Sequence, residues 1–383
     1  MKRIQFYSLV VMIIFIVVSN LWPGVTGKIA GRVIDAETGE PLPGVNVYLE
    51  GTTLGASTDL DGYYVILNVP PGTYNIIASN IGYQDQKVTG IKVSIDFTTT
   101  IDFKMRTTVY ELSEAVTVVA TREMVRKDLT STVSIVGADE ISQMPVEDIN
   151  NVLQLQAGII KDVDGEIHVR GGRSSEISYM VNGISVTDPF SGENAIEVEN
   201  YGVQELQVIS GTFNAEYGRA MSGVIEIATK EGGDKLESFL SLYSGDYVSN
   251  HKNTFLNIDK IDPVSIYSIQ ASLSGPVSIL SDNLRFFGTF RVYKNTGWLF
   301  GKRVFNPSDS SNFDSPDPEK WYIEHTGDNK IVPMNPIRKF TTQFNLSYRF
   351  NPTFKVNYEF LMDKIKYREY NHAFKYNPDG DYR

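Results

Sequence analysis

Apolar and polar residues alternate strictly in the stretch FNLSYRFNPTFKVNYEF, residues 344–360. Successive side chains of a β-strand point to opposite faces, so this period predicts strands with one apolar and one polar face. The Asn351-Pro352-Thr353 break predicts a tight hairpin between two such strands. Similar runs occupy 267–274 and 284–292, and a poorer one occupies 236–244. The chain is therefore expected to form a β-sheet whose apolar face needs an apolar neighbour.

The composition excludes several kinds of chemistry. The 383 residues include no cysteine, which excludes disulfides, thiolate metal sites, cysteine nucleophiles and a lipid-anchoring cysteine. The formal net charge is −11, and no long run of Lys and Arg occurs. Nucleic acid is therefore not expected as a partner.

The first 27 residues have the pattern of a secretory signal peptide. Lys2 and Arg3 precede an apolar run from Leu9 to Val18, and Val25-Thr26-Gly27 offers small residues for cleavage. A membrane anchor is the alternative, but the apolar run is short for a helical span. We expect residues 1–27 to direct the protein out of the cytoplasm.

Residues 28–105 contain short β-rich runs with turn signals about every 8–12 residues, which is typical of a β-sandwich. The runs GRVIDAETGEPLPGVNVYLEGT and TDLDGYYVILNVPPGTY resemble the carboxypeptidase-regulatory-like domain, which implies a prealbumin-like sandwich. No peptidase activity is expected, because no histidine lies in a His-x-x-Glu or His-Glu-x-x-His frame. Asp59 and Asp61 are interpreted as capping their own turn rather than binding calcium.

Residues 106–233 combine short strands, glycine turns and a helical run, which predicts a compact α+β body. Its blocks resemble, in order and spacing, the plug domain of TonB-dependent outer-membrane transporters. The Asn-Gly pair within it predicts a type I′ turn. The resemblance rests on the motif residues Arg170, Gly171, Gly172, Asn182, Gly183, Gly211, Tyr217, Gly218 and Gly223.

A short segment ahead of the plug resembles the TonB box, which in this family adds a strand to a sheet of TonB. The segment consists of Glu114, Ala115, Val116, Thr117, Val118, Val119 and Ala120. The resemblance implies TonB, part of the inner-membrane energy-transducing complex, as a partner. Alternatively, the same residues form the first strand of the plug.

Residues 234–383 are expected to hold the first strands of an antiparallel transmembrane β-barrel. Each run has roughly ten residues, the length of a tilted membrane strand. The links at about 245–264 and 294–337 are long and the other links are short, which places the long loops outside the cell. The apolar face should touch outer-membrane lipid, and a soluble sandwich is the disfavoured alternative. The polar face should line the lumen or face the plug, and comprises Asn345, Arg349, Lys355, Asn357 and Glu359.

The number of strands does not complete a barrel. Five strands cannot close, and an open edge is not tolerated in a bilayer. Barrels of the family that the plug resembles close with about 22 strands. We therefore expect this chain to be a fragment, truncated at its C-terminal end.

The resemblance implies a receptor of the cell outer membrane, with sandwich and plug on the periplasmic or lumen side. It would bind a scarce extracellular ligand (an oligosaccharide, a metal chelate or a peptide) and import it by energised displacement of the plug. Some members of the family work with a surface lipoprotein, which makes such a lipoprotein a candidate partner. The alternative is a non-transporting adhesion or assembly protein. No nucleophile elbow, P-loop or dinucleotide fingerprint occurs, so no enzyme, cofactor or metal is expected.

Two turns of the plug are the candidate ligand-binding elements, one at 188–194 and one at 213–217. Six aromatic residues of the 294–337 link could stack on sugar rings, but we interpret them as an aromatic girdle or loop packing. These are Trp298, Phe300, Phe305, Phe313, Trp321 and Tyr322. The candidate ligand contacts are Asp188, Phe190, Glu193, Asn194 and Phe213.

Overall fold

The structure is a computed structural model. It describes residues 26–380 with the exception of 108–115, 120–131, 147, 163–164, 212–216, 219, 253, 282 and 352–353. Most of the predicted signal peptide therefore lies outside the described residues, as do Glu114, Ala115, Ala120, Phe213 and the Pro352-Thr353 turn.

Among the described residues, no helix combines the length and the apolar character that a membrane crossing requires.

The chain divides into two compact units. The first takes its residues from 1–234, 276–285 and 346–358, and the second takes its residues from 235–275, 286–345 and 359–383.

The first unit begins with a β-sandwich of two sheets. One sheet has the order β4-β1-β7, with β8 also paired to β1, and the other has the order β3-β2-β5-β6-β9. Period-two runs build the core between them, since Val45, Val47 and Leu49 are fully buried as their spacing predicts. The strands are β1 Gly27–Asp35, β2 Asn46–Leu49, β3 Gly55–Ser57, β4 Tyr63–Val69, β5 Gly72–Ser79, β6 Gln86–Val93, β7 Thr98–Thr100, β8 Phe103–Met105 and β9 Val116–Val119.

An α+β body follows in the same unit. A mixed sheet of order β10-β15-β16-β13-β14 forms its centre, and β11 pairs with β12 in a separate hairpin. Every residue of β16 is buried, so this strand lies in the core. The elements are β10 Thr132–Gly137, α1 Ala138–Gln143, α2 Ile149–Gln154, β11 Ile159–Lys161, β12 Ile167–Val169, β13 Ile177–Val181, β14 Ile184–Ser185, β15 Val203–Ser210 and β16 Gly223–Thr229, with 3₁₀ turns at Ser174–Glu176 and Asn200–Gly202.

A second large sheet joins five strands in chain order, β17-β18-β19-β24-β25. The long link between β19 and β24 folds into two small antiparallel pairs, β20 with β23 and β21 with β22. The strands are β17 Glu237–Gly245, β18 Ile266–Pro276, β19 Leu284–Asn295, β20 Phe300–Lys302, β21 Ser311–Asn312, β22 Tyr322–Ile323, β23 Ile331–Pro333, β24 Ile337–Asn351 and β25 Phe354–Tyr367, with 3₁₀ turns at Pro318–Lys320 and His372–Phe374.

The burial pattern of this sheet is the reverse of that in a soluble protein. On β24, Phe344 and Phe350 are exposed while the polar residues between the apolar ones are buried. Water favours the opposite arrangement, since buried polar groups cost free energy and exposed apolar groups gain none. The pattern supports the prediction that the apolar face meets lipid. The buried polar residues are Ser268, Ser272, Thr289, Arg291, Thr341, Gln343, Asn345 and Ser347.

Two residues of the predicted polar face contact the end of the plug-like body within the first unit. The Lys355 Nζ atom donates to both carboxylate oxygens of Glu231, at 2.6 and 2.9 Å. The Asn357 Nδ2 atom donates to the same carboxylate at 3.2 Å. Glu231 lies just beyond β16, so these contacts follow the expectation that the polar face meets the plug.

Candidate functional site

Three turns of the plug-like body contact one another and form a cluster at the surface, which we call the turn cluster: residues 162 and 165–168, 172–176 and 188–194. Ser174 Oγ donates to Glu166 Oε2 at 2.5 Å, which joins the first turn to the second. Gly192 has φ +78°, and a Cβ atom there would lie 2.7 Å from the Ser175 Cα. This close approach joins the third turn to the second and requires glycine.

The first turn carries a carboxylate and imidazole group that sequence reasoning missed. Asp162, Glu166 and His168 each offer one ligand atom, and these atoms lie within 4.8 Å of one another. His168 Nδ1 lies 2.9 Å from the Gly172 carbonyl oxygen, and Nε2 lies 3.2 Å from Asp162 Oδ2. The Gly172 carbonyl and the Asp162 carboxylate raise the pKa of His168. The group can accept hydrogen bonds from a ligand's hydroxyl or amine, or hold a cation.

Hairpin register explains why this group was missed. The group does not follow a linear motif spacing such as His-x-x-Glu, because Lys161 pairs with Ile167 across the β11–β12 hairpin. Asp162 and Glu166 therefore face each other just beyond the paired residues, and the Asp162 nitrogen donates to the Glu166 carbonyl oxygen at 3.0 Å. An Asp-x₃-Glu-x-His spacing across a short hairpin was the available signal.

The predicted ligand contacts on the third turn divide into structural and free side chains. Asp188 Oδ1 accepts from the backbone nitrogens of Phe190 and Ser191, at 2.7 and 3.1 Å, and these bonds hold the pKa of Asp188 below its ordinary value. Asn194 Oδ1 accepts from the Ile196 nitrogen at 3.3 Å. Phe190 has no such structural role, since its side chain is 100% exposed. Glu193 carries an exposed carboxylate on the same turn.

The plug motif residues pack around two strand ends. A Cβ atom on Gly211 would lie 3.4 Å from the Arg170 Nη1, and one on Gly223 would lie 3.0 Å from the Val169 Cγ1. Asn182 has φ +50° and binds Thr229 twice: its Nδ2 donates to Oγ1 at 2.6 Å, and its Oδ1 accepts from the backbone nitrogen at 2.9 Å. These contacts join β13 to β16 and give the motif residues a structural role.

The turn that follows Asn182 has the predicted geometry. Asn182 and Gly183 both have positive φ, +50° and +74°, as a type I′ turn requires. Arg170 and Gly171 also have positive φ. A Cβ atom added to Gly172 would lie 2.3 Å from the Ser222 Cβ, so a larger residue there would clash. Tyr217 and Gly218 are described, but they lie beside the 212–216 gap.

The four described residues of the segment that resembles the TonB box pair with the sandwich. Val116–Val119 forms β9, parallel to β6, with Val116 opposite Gln86 and Val119 opposite Thr89. The sequence predicted a TonB box ahead of the plug or, alternatively, the first strand of the plug. In the structure the backbone of Val116–Val119 extends the sandwich sheet. Backbone hydrogen bonds do not depend on residue type, so the sequence gave no indication that Val116–Val119 pairs with β6.

A buried polar link joins the sandwich to the plug-like body within the first unit. Glu205 Oε1 accepts from the Ile95 nitrogen at 3.0 Å, and Gln207 Nε2 donates to the Ile95 carbonyl oxygen at 3.2 Å. Gln207 also donates to Glu205 at 2.7 Å. Glu205 and Gln207 are each 1% exposed, and burial raises the pKa of Glu205.

Three of the six aromatic residues of the 294–337 link make ring contacts, and a fourth is buried. Phe300 is buried, and Trp298 lies against Phe255 with ring centroids 5.5 Å apart. Phe313 and Trp321 pack edge to face at 5.6 Å, and Trp321 Nε1 donates to the Ser315 carbonyl oxygen. These contacts support the interpretation as loop packing. Phe305 is half-buried and Tyr322 is exposed.

Two family models match the chain. The CarboxypepD_reg-like domain matches residues 29–118, and the TonB-dependent Receptor Plug Domain matches residues 125–224. Residues 125–224 therefore form a plug domain of the TonB-dependent receptor type, preceded by a CarboxypepD_reg-like domain. The sandwich and the α+β body are therefore the two domains that the sequence resembled, and the chain is mainly β.

Curated TonB-dependent receptors are similar along most of the chain. Receptor P26 of Formosa agariphila is 25% identical over 388 aligned residues, which cover 93% of this chain and 37% of P26. Receptor P39 of the same organism is 32% identical over 225 residues, which cover 56% of this chain and 20% of P39. The chain thus spans between 20% and 37% of the length of these relatives. They are receptors and not enzymes, in agreement with the prediction.

Among solved structures, the siderophore receptor PirA from Acinetobacter baumannii aligns with 61% of this chain and 32% of its own length. The sequence identity is 15% and the TM-score is 0.43.

Proposed function

We propose that this TonB-dependent receptor binds an extracellular ligand on its turn cluster and imports it to the periplasm when TonB displaces the plug domain. The observation that carries the proposal is the turn cluster itself. It carries a fully exposed aromatic ring, Phe190, on the turn whose Gly192 packs on Ser175, and the neighbouring Ser174 binds Glu166 of the Asp162, Glu166 and His168 group. An exposed ring and convergent polar groups are the usual parts of a binding site.

The charges of the turn cluster favour some ligand classes over others. Asp162, Glu166 and Glu193 carry carboxylates, which repel an anionic metal chelate. The same carboxylates accept hydrogen bonds from hydroxyl or ammonium groups, and Phe190 can stack on the apolar face of a sugar ring. A neutral or cationic ligand, an oligosaccharide or a basic peptide, therefore suits this surface better than an anionic chelate.

Cationic side chains support placement of the second sheet in the outer membrane with its long loops outside. Lys364 and Lys366 continue the face of β25 that carries Phe360 and Met362. Arg338 lines the same shallow surface as these lysines. On this face the apolar residues are followed by cationic ones toward the long-loop end. This order matches the boundary between the lipid chains and the phosphate-bearing head groups of a membrane.

Growth of the source bacterium tests the proposal. A strain that lacks the gene is compared with strains carrying the wild-type gene, Phe190→Ala or Val118→Pro, on panels of oligosaccharides, peptides and ferric chelates. We expect the deletion strain to fail on one ligand class, Val118→Pro to fail equally, and Phe190→Ala to need roughly tenfold more ligand. Leu60→Ala, an exposed sandwich residue, is the matched control. Full growth of the Val118→Pro strain where the deletion strain fails would refute TonB-driven import.

A further inference from the structure

The edge of one sandwich sheet is closed by a segment that lies more than 20 residues further along the chain. Strand β6 pairs in parallel with β9 over four residues: Gln86 with Val116, Lys87 with Thr117, Val88 with Val118 and Thr89 with Val119. Without β9, strand β6 would present a row of unpaired backbone groups, which is a surface ready to accept a strand. The β6 edge is thus a docking surface, and its occupant is a segment of this chain.

The occupant is also the segment that resembles the TonB box. The CarboxypepD_reg-like match reaches residue 118 and the plug match begins at residue 125, so the same residues belong to the sandwich by family and by pairing. A TonB box works by pairing its backbone with another protein's sheet. We infer that the sandwich and TonB compete for Val116–Val119, so that the segment stays paired with β6 of the sandwich until TonB binds it. This inference rests on the proposed function.

The sandwich has its own attachment to the plug domain, independent of β9. Buried Glu205 and Gln207 hold Ile95 through two hydrogen bonds of 3.0 and 3.2 Å, and Gln207 also donates to Glu205 at 2.7 Å. Lys92 Nζ also lies 3.2 Å from Glu140 Oε1 on the surface. The segment can therefore leave β6 while the sandwich stays on the plug domain, and it can return to the same edge.

The length of the pairing sets the size of the effect. A strand of four residues at a sheet edge is short, so its docking is reversible on the scale of a binding event. TonB then binds only the fraction of molecules in which the segment is free, and its apparent Kd rises as that fraction falls. Coupling between two such equilibria is typically about 5–150-fold. Locking the segment in place should weaken TonB binding by roughly tenfold or more.

A reversible disulfide tests the competition in the full-length receptor. The chain has no cysteine, so the pair Lys87→Cys and Thr117→Cys is free of background reactions. Paired residues on neighbouring strands lie about 5 Å apart, within the range of a disulfide. The periplasmic domain of TonB is titrated against the oxidised and the reduced double variant. We expect the oxidised protein to bind roughly tenfold more weakly or worse, and reductant to restore the wild-type Kd.

The controls separate the inference from the proposed function. The single variants should not respond to oxidation, and the pair Gln86→Cys and Val116→Cys repeats the test if the first pair folds poorly. Equal TonB affinity before and after oxidation, with the disulfide formed, would overturn the competition, because TonB would then add to the outer edge of a docked β9. Failure of the disulfide to form in both pairs would also overturn it. If wild type does not bind TonB at all, the proposed function fails instead.

Hydrogen exchange gives a second reading of the same competition. In the wild-type receptor, amides of residues 86–89 should exchange faster once TonB is bound, because β6 loses its neighbour. Amides of β1 should not change, since β1 pairs with β4, β7 and β8 instead. TonB binding with unchanged exchange at 86–89 would contradict release of the segment.

Discussion

Single polar residues hold the sandwich against the plug domain, and Glu205 shows how. Its carboxylate accepts a hydrogen bond from the Ile95 backbone nitrogen in a buried site. Glu205→Ala leaves a buried N–H group without an acceptor, and we expect the free energy of unfolding to fall by about 1–3 kcal/mol. Denaturant unfolding of the purified receptor measures this loss. Glu140→Ala, which removes only the surface pair with Lys92, should cost less than about 1 kcal/mol.

The same carboxylate gives the link a pH dependence. Burial raises the pKa of Glu205 above its ordinary value of 4.5, so the folded protein holds the proton more tightly than the unfolded chain. Its contribution to stability is therefore complete below the unfolded pKa and is lost as pH rises through the folded pKa. Glu205→Gln does not titrate, so its stability relative to wild type should increase as the pH rises above the ordinary pKa of a glutamate. Parallel curves for the two proteins would show that Glu205 is not held in a desolvated site.

The imidazole of His168 in the turn cluster is a second group whose protonation can be measured. The Gly172 carbonyl and the Asp162 carboxylate raise its pKa, and their stabilisation of the charged ring is lost as pH rises through that value. Asp162→Asn should lower the pKa of His168, which NMR of the imidazole protons follows. Asp188→Asn is the matched control, because Asp188 accepts only within its own turn. Equal effects of the two variants would rule out a specific His168–Asp162 pair.

At the scale of elements, the two-residue period predicted most strands, whereas it predicted few of their partners. Phe344 and its neighbours indicated a strand with an exposed apolar face because burial follows side-chain direction. The pairing of β9 with β6 depends on backbone groups that every residue carries, so residue types do not encode it. The Asp162, Glu166 and His168 group depends on hairpin register, and the structural role of Asp188 depends on turn geometry. The local sequence pattern was therefore sufficient to predict the strands, but it was not sufficient to predict the contacts between distant elements.

The alternation on β25 can be tested in a lipid bilayer. A nitroxide label on single cysteines at Val356, Tyr358 and Phe360 should be accessible to oxygen, which dissolves in lipid. Labels at Lys355 and Asn357 should be less accessible, because these residues bind Glu231. The cysteine-free chain makes each label unique. Accessibility without a two-residue period across these positions would contradict a lipid-facing strand.

At the scale of the whole molecule, the proposal places the two ends of the receptor in different compartments. The long link between β19 and β24 exposes Phe313, and the sandwich exposes Leu60. Outer-membrane strands carry their long loops outside the cell, so the link should face the medium while the sandwich faces the periplasm. Under the proposal, TonB reaches Val116–Val119 from the periplasm and the ligand reaches Phe190 from the opposite side. Import in the proposed direction requires this arrangement.

A membrane-impermeant maleimide tests the arrangement in intact cells. Phe313→Cys should react at once, whereas Leu60→Cys should react only after the outer membrane is permeabilised. Both side chains are more than half exposed, so a difference in labelling reports the compartment rather than burial. The cysteine-free wild type gives the background. Labelling of Leu60→Cys in intact cells would place the sandwich outside, where TonB could not compete for β9, and both the import proposal and the competition for the segment would then fail together.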